Sequence, residues 1–191
     1  MRFRNVFLPL KIWWRDQRAL AATEFALIFP ILFMMLLGTV ELGNGIMANQ
    51  KTIMASQVVS DLITRSEAVT AAQLSEAKAA GRLALDPFDA DLVGFDIVSI
   101  RYDLDGSDEG DEPDPVIVWR DTDNMGGFEA EADDIKDKVL PLALEGDGVV
   151  IVYVRFPYRS AFGSRFVGDM NMIEVSYARG RKNPVVVRSG S

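Results

Sequence analysis

Apolar side chains follow three different rhythms along this chain. From Leu20 to Leu42 the run LAATEFALIFPILFMMLLGTVEL is apolar on every face, with only Glu24 and Glu41 charged among its 23 residues. A helix of that length spans roughly 34 Å, enough for a hydrocarbon core of about 30 Å. Core helices rarely stay apolar all round for so many turns. A secretory signal has a shorter apolar region and a small-residue cleavage motif after it. The run therefore reads as a transmembrane helix. Beyond Leu42 the helical rhythm continues but narrows. Gly38, Glu41, Gly45, Ala48, Thr52 and Ala55 recur every three or four residues as a seam of mostly small side chains, the kind that lets helix backbones approach closely. Ile46, Ile53, Met54, Val58, Val59, Leu62 and Ile63 add an apolar stripe. Packing against other subunits and packing on the chain's own domain are equal alternatives for that stripe.

The third rhythm starts near Thr64. Thr70 precedes AAQLSEAKAAGRLAL, a short helix with a capping residue. Runs rich in β-branched and aromatic residues follow at Phe95–Tyr102, Val116–Trp119, Val149–Phe156 and Ile173–Ala178, with a shorter one at Val185–Val187. Between them, Glu129–Leu144 has helical spacing at Ile135, Val139 and Leu142, interrupted by Pro141. The expected fold class is α+β: a long N-terminal transmembrane helix extends into a stalk and packs on an antiparallel β-sheet domain. The corresponding divisions are a basic tail (1–19), the membrane helix (20–42), a helical stalk (43–66) and an α+β domain (67–191).

Charge gives this plan a direction. The 191 residues carry 20 Lys and Arg against 28 Asp and Glu, a net of −8. That average conceals an asymmetry. Residues 1–18 hold Arg2, Arg4, Lys11, Arg15 and Arg18 against Asp16, a net of +4, whereas residues 43–191 hold 15 bases and 25 acids, a net of −10. The positive-inside rule then leaves the N-terminus in the cytoplasm and exports the acidic body. An acidic body also argues against nucleic acid as a partner, because neutralising phosphates needs a basic face. The chain contains no Cys and no His, which excludes disulfide scaffolds, thiolate zinc sites, Cys nucleophiles and Ser-His triads. Glu24 is the odd residue, since a carboxylate inside a membrane helix is costly. Either it sits at the cytosolic interface and favours the positive end of the helix dipole, or it meets a positive charge from another chain.

At these residues the chain resembles a known family. Arg18-Ala-Leu-Ala-Ala-Thr-Glu-Phe-Ala-Leu-Ile-Phe-Pro30, followed by Gly38 and Glu41-Leu42-Gly43, is similar to the N-terminal signature of TadE-like proteins. These are pilin-like components of the tight-adherence (Flp pilus) assembly system. The resemblance implies a pilin-like fold, other pilin-like subunits and the Flp/Tad machinery as partners in a hetero- or homo-oligomer, and a place in the bacterial inner membrane. It also implies cleavage by a prepilin peptidase between Ala19 and Leu20, which makes Glu24 and Phe25 the fifth and sixth mature residues. Glu24 would then attract the new terminal amine of a neighbouring subunit. Where the family usually has Gly before the cut, this chain has Ala19.

The remaining chemistry is weaker. Asp103, Asp105 and Ser107 fall on alternate positions, as the first oxygen ligands of a calcium loop do. However, the sixth position is Asp108 instead of Gly, the closing residue is Asp114, and strands flank the loop. It reads as a solvated hairpin connection, with a weak calcium site as the lesser alternative and no other cofactor expected. Asp121–Gly127 reads as a turn after a four-residue strand, without phosphate-loop spacing. Arg155, Arg159 and Arg165 interleave with Phe156, Tyr158, Phe162 and Phe166, and Arg179, Arg181, Lys182 and Arg188 follow. They serve either as edge-strand gatekeepers or as a face for a neighbour's acidic loop. The leading functional expectation is a non-enzymatic accessory protein of Flp-type pilus assembly. Its rival is a permanently anchored periplasmic binding or adhesion module. An enzyme ranks third, for want of a credible acid–base pair.

Overall fold

In a computed structural model, which describes residues 17–103, 114–127, 146–160 and 169–189, the chain divides into two compact units, Met1–Gly43 and Asn44–Ser191. Helix α1, Gln17–Thr64 (48 residues), supplies the described part of the first unit and the opening segment of the second. Pro30 lies inside α1 without ending it. Its missing N–H removes one bond of the helical ladder, a loss that membrane helices tolerate. The most apolar window of α1 has a mean hydropathy of 2.2 and none of it is buried within the protein. It is long and apolar enough to cross a membrane.

In the second unit α1 changes character. Its buried positions there are Ala48, Thr52, Ala55, Ser56, Val59, Ser60, Ile63 and Thr64, a one-sided stripe at helical spacing. Half of these carry hydroxyls, and each hydroxyl donates back to its own helix: Thr52 to the Ala48 carbonyl at 2.9 Å, Ser56 to Ile53 at 2.8 Å, Ser60 to Gln57 at 3.0 Å and Thr64 to Ser60 at 2.8 Å. No desolvation penalty is left by burying them. The expected apolar stripe is split by this arrangement. Val59 and Ile63 are buried, but Ile46, Met54 and Leu62 are exposed. The small side chains take the core-facing side because they permit the closer approach.

The domain sheet is antiparallel with strand order β3-β2-β4-β5. Its strands are β2 (Gly94–Asp103), β3 (Asp114–Asp123), β4 (Gly148–Tyr158) and β5 (Met170–Ala178). The α+β expectation holds. The central strands are apolar on both faces, as the continuous run Val149–Val154 requires. Phe95, Ile97, Val150, Val152, Val154 and Phe156 join the α1 stripe in one core, while Val98, Ile100, Tyr102, Val149, Ile151 and Tyr153 form a second core cluster.

Helix α2, Ala71–Ala84, closes the first core with Leu74, Ala77 and Gly81. It starts as its sequence predicts: the Gln73 N–H donates to Thr70 Oγ1 at 3.2 Å and the Thr70 N–H donates to Gln73 Oε1 at 2.9 Å, a reciprocal capping box. Strand β1 (Ala68–Val69) pairs in parallel with β6 (Val187–Arg188), outside the main sheet. The Val186 carbonyl accepts from both Trp119 Nε1 and Ser99 Oγ at 2.8 Å, tying the C-terminal segment to the domain.

Two expectations are corrected here. The segment Asp121–Gly127 is not wholly a turn, because Asp121, Thr122 and Asp123 continue β3 to ten residues and the chain bends only after them. Their carboxylates are held by cations from α2. Lys78 Nζ lies 2.7 Å from Asp121 and Arg82 lies 2.7 Å from Asp123, so strand extension satisfies charges that a turn would have left in water. Arg155 is not an edge gatekeeper, because β4 is an inner strand; its guanidinium donates to the Asn124 carbonyl at 3.1 Å. Of the other elements, Glu129–Leu144, Arg165, Phe162 and Phe166 lie outside the described residues.

Two predictions follow from this packing. A Cβ on Gly81 would sit 2.6 Å from Val59 Cγ2 and 3.0 Å from the Phe95 ring, so α2 crosses α1 too closely for a methyl group. Overpacking costs about 1–3 kcal/mol and the gain in helix propensity returns about 1. Gly81→Ala should therefore lower unfolding stability by up to about 2 kcal/mol in urea titrations of the full chain in detergent; an unchanged midpoint would show that the crossing yields. The second concerns Tyr102, whose phenol burial pushes up to about 12, against a smaller opposing pull from Arg179. The folded state holds this proton more tightly than the unfolded chain, so the contribution is intact below about pH 10 and fades as pH rises from there towards 12. Tyr102→Phe should lose less stability than the wild type between those pH values, measured by denaturant midpoints.

Candidate functional site on the N-terminal helix

The expected site residues fall along α1, and their local surroundings separate them into two groups. Ala19 and Leu20 are both within the helical ladder, near the start of α1. A peptidase acting between them must unwind the first turn of the helix, because a helical backbone does not present an extended scissile bond. Thr23 Oγ1 donates to the Leu20 carbonyl at 2.7 Å. Glu24 and Phe25 are exposed one turn further on. Side chains in a helix lean towards its N-terminus, and positions four apart lie on one face. The Glu24 carboxylate therefore lies over the turn that contains Leu20.

Phe25 is the first ring of a ladder that its spacing alone did not single out. Its centroid is 5.6 Å from that of Phe29, and Phe29 is 5.8 Å from Phe33. All three rings are exposed. The signal was present in the sequence as aromatics at positions four apart, but it was merged into general hydrophobicity. The result is a rigid aromatic ridge beginning beside Glu24, available to a neighbour or to lipid.

The small-residue seam divides at the boundary between the units. At Gly38 a Cβ would meet nothing within 4 Å, so its missing side chain leaves an open notch in the helix surface. Glu41 is partly buried. Gly45 is different: a Cβ there would lie 3.9 Å from Met170 Cε, the side chain that begins β5. Ala48 is fully buried in the domain core. Gly45 and Ala48 are thus engaged by their own domain, while Gly38 is open.

The calcium-like loop is described only at its ends. Arg101 donates to both oxygens of Asp103, at 2.7 and 2.6 Å. That hydrogen bonding holds the Asp103 carboxyl below its ordinary range and raises the arginine in turn. Its oxygens are already committed to a guanidinium. Asp105 and Ser107 lie outside the described residues.

Elsewhere, charges are used structurally. The fully buried Asp96 receives both forks of Arg120, at 2.9 and 2.6 Å. Asp123 is held below its ordinary value chiefly by its hydrogen bond from Arg82. Buried pairs of this kind fix geometry but are not evidence of catalysis.

No curated protein and no solved structure matches the chain. The family described as TadE-like protein matches residues 20–60, a stretch that runs from Leu20 through Glu24, Gly38 and Ala48 to Ser60. Over that stretch the chain is similar to TadE-like proteins.

Proposed function

We propose that this protein is a pilin-like accessory subunit of Flp/Tad-type pilus assembly, without enzymatic activity. Its α1 anchors it in the bacterial inner membrane, the basic N-terminal tail stays in the cytoplasm and the acidic domain is exported. The observation that carries the reading is Glu24. It stands one turn after Leu20 on the apolar, unburied stretch of α1, inside the segment that matches the TadE-like family. A carboxylate at that depth is retained only if something compensates its desolvation.

Cleavage between Ala19 and Leu20 would supply the compensation. It creates an ammonium at Leu20, at the end of the helix where the dipole already favours negative charge. In an isolated mature chain, that amine lies one turn from its own Glu24. In an assembly, the amine of one subunit reaches the Glu24 of its neighbour, and the open notch at Gly38 and the ridge of Phe25, Phe29 and Phe33 offer shape for helix contact. Small residues and apolar packing drive helix association in lipid, where the hydrophobic effect between helices is absent.

Two measurements test this. Expressed with a prepilin peptidase, the chain should yield a mature N-terminus at Leu20, and without the peptidase it should keep residues 1–19. An uncut, membrane-bound chain in cells that make pili would favour a permanently anchored module instead. Glu24→Ala should leave membrane insertion intact but reduce pilus production sharply, whereas Glu24→Gln should show how much of the loss is due to charge. Normal piliation by both variants would remove the amine-pairing role.

A further inference from the structure

The apolar surface of α1 does not stop where the membrane run ends. Leu42 is 71% exposed, Ile46 61% and Met47 44%, and the next turn brings Asn49, Gln50 and Lys51, the first three consecutive polar residues after Leu20. On the side of the helix occupied by Gly45, which has no side chain, the surface is supplied from elsewhere: Met170 of β5 lies 3.9 Å from the Cβ position of Gly45 and is itself 39% exposed. Ile46, Met47 and Met170 thus form an apolar collar around one level of the helix, at the end of the domain where β4 leaves and β5 returns.

We propose that this collar is a lipid-contact surface, seated in the interfacial layer of the bilayer that α1 crosses. The proposal rests on the membrane-anchored reading above. Chain connectivity decides the occupant. Two residues separate Leu42 from Gly45, so Gly45, with the Met170 side chain against it, lies within about 11 Å of chain from the end of the apolar run. From Leu20 to Met47 a continuous helix rises about 42 Å, which matches the roughly 40–45 Å of a bilayer including its headgroups, whereas Leu20–Leu42 matches the hydrocarbon core alone. Methionine suits such a position, being flexible, apolar and without hydrogen-bonding demands. Lys51, one turn above the collar, is placed for its stem to lie along the helix while its ammonium reaches headgroup phosphates. The adjacent acid Asp169 is exposed and keeps its hydration at that level. The collar thereby seats Ile46, Met47 and the start of β5 in the headgroup layer.

The cysteine-free sequence makes the test direct. Single variants Met170→Cys, Ile46→Cys, Met35→Cys and Lys182→Cys of the full chain would carry an environment-sensitive fluorophore in phosphatidylcholine/phosphatidylglycerol vesicles. Lipids spin-labelled near the headgroup or deep in the acyl chain then act as quenchers. The expected result is strong quenching of the Met170 and Ile46 probes by the shallow label, quenching of the Met35 probe by the deep label, and no quenching at Lys182. Met170 and Ile46 probes as unquenched as the one at Lys182, with Met35 still quenched, would overturn the collar while leaving the anchor standing. An unquenched Met35 probe would overturn both.

Discussion

The α+β domain depends on how closely one face of α1 can approach the sheet. That distance is set by side chains with almost no bulk: Ala48, Thr52, Ala55, Ser56 and Ser60 occupy buried positions where a typical core helix would carry Leu or Ile. Small side chains are acceptable at such positions only if their hydroxyls are satisfied, and each is satisfied locally by a carbonyl one turn back. The Ser176 hydroxyl of β5 donates at 3.0 Å to the Ser56 backbone carbonyl, a contact that bulkier residues would prevent. The same closeness governs α2, which crosses at Gly81 because Val59 and Phe95 leave no room for a methyl group.

Given that close seat, the rest of the domain follows. α1 alone does not close its core, and α2, which completes it, is held in place by charge as well as by its buried Leu74 and Ala77. Lys78 and Arg82 reach from α2 to Asp121 and Asp123 on the edge strand β3. Partly exposed pairs such as these contribute little energy individually. Their effect is positional, since two cations spaced four apart on a helix meet two carboxylates spaced two apart on a strand, and that match fixes register. The bidentate Asp96–Arg120 pair then locks β3 to its neighbour β2.

Much of this was legible in the sequence, for identifiable reasons. The membrane run, the Thr70 cap and the strands at Phe95, Val149 and Ile173 announce themselves through composition and local chemistry. What was not legible depended on partners distant along the chain. Nothing local indicates that Asp121 and Asp123 extend a strand, because acids disfavour strands until Lys78 and Arg82 arrive from some forty residues away. Similarly, hydrophobicity alone leaves open whether Ile46, Met54 and Leu62 pack on the domain or against a neighbour. The core instead selected for fit, placing Ala48 and Thr52 inside and leaving the larger residues exposed. In the candidate site, Glu24 was conspicuous as a charge in an apolar run, whereas the phenylalanine ladder was hidden in that run.

The division of α1 also separates folding from assembly. Ala48, Thr52, Ala55, Val59 and Ile63 are consumed by the domain's own core, so a neighbouring subunit cannot use them without unfolding that domain. Leu20 to Gly38, by contrast, contributes nothing to the core and leaves its apolar surface exposed. Sites that are distant and share no partners contribute additively. Substitutions before Gly43 should therefore alter association in the membrane while leaving domain stability unchanged, and substitutions after Ala48 should do the reverse. The domain can fold independently of what surrounds the apolar run, and that run can change its surroundings without the domain being remade.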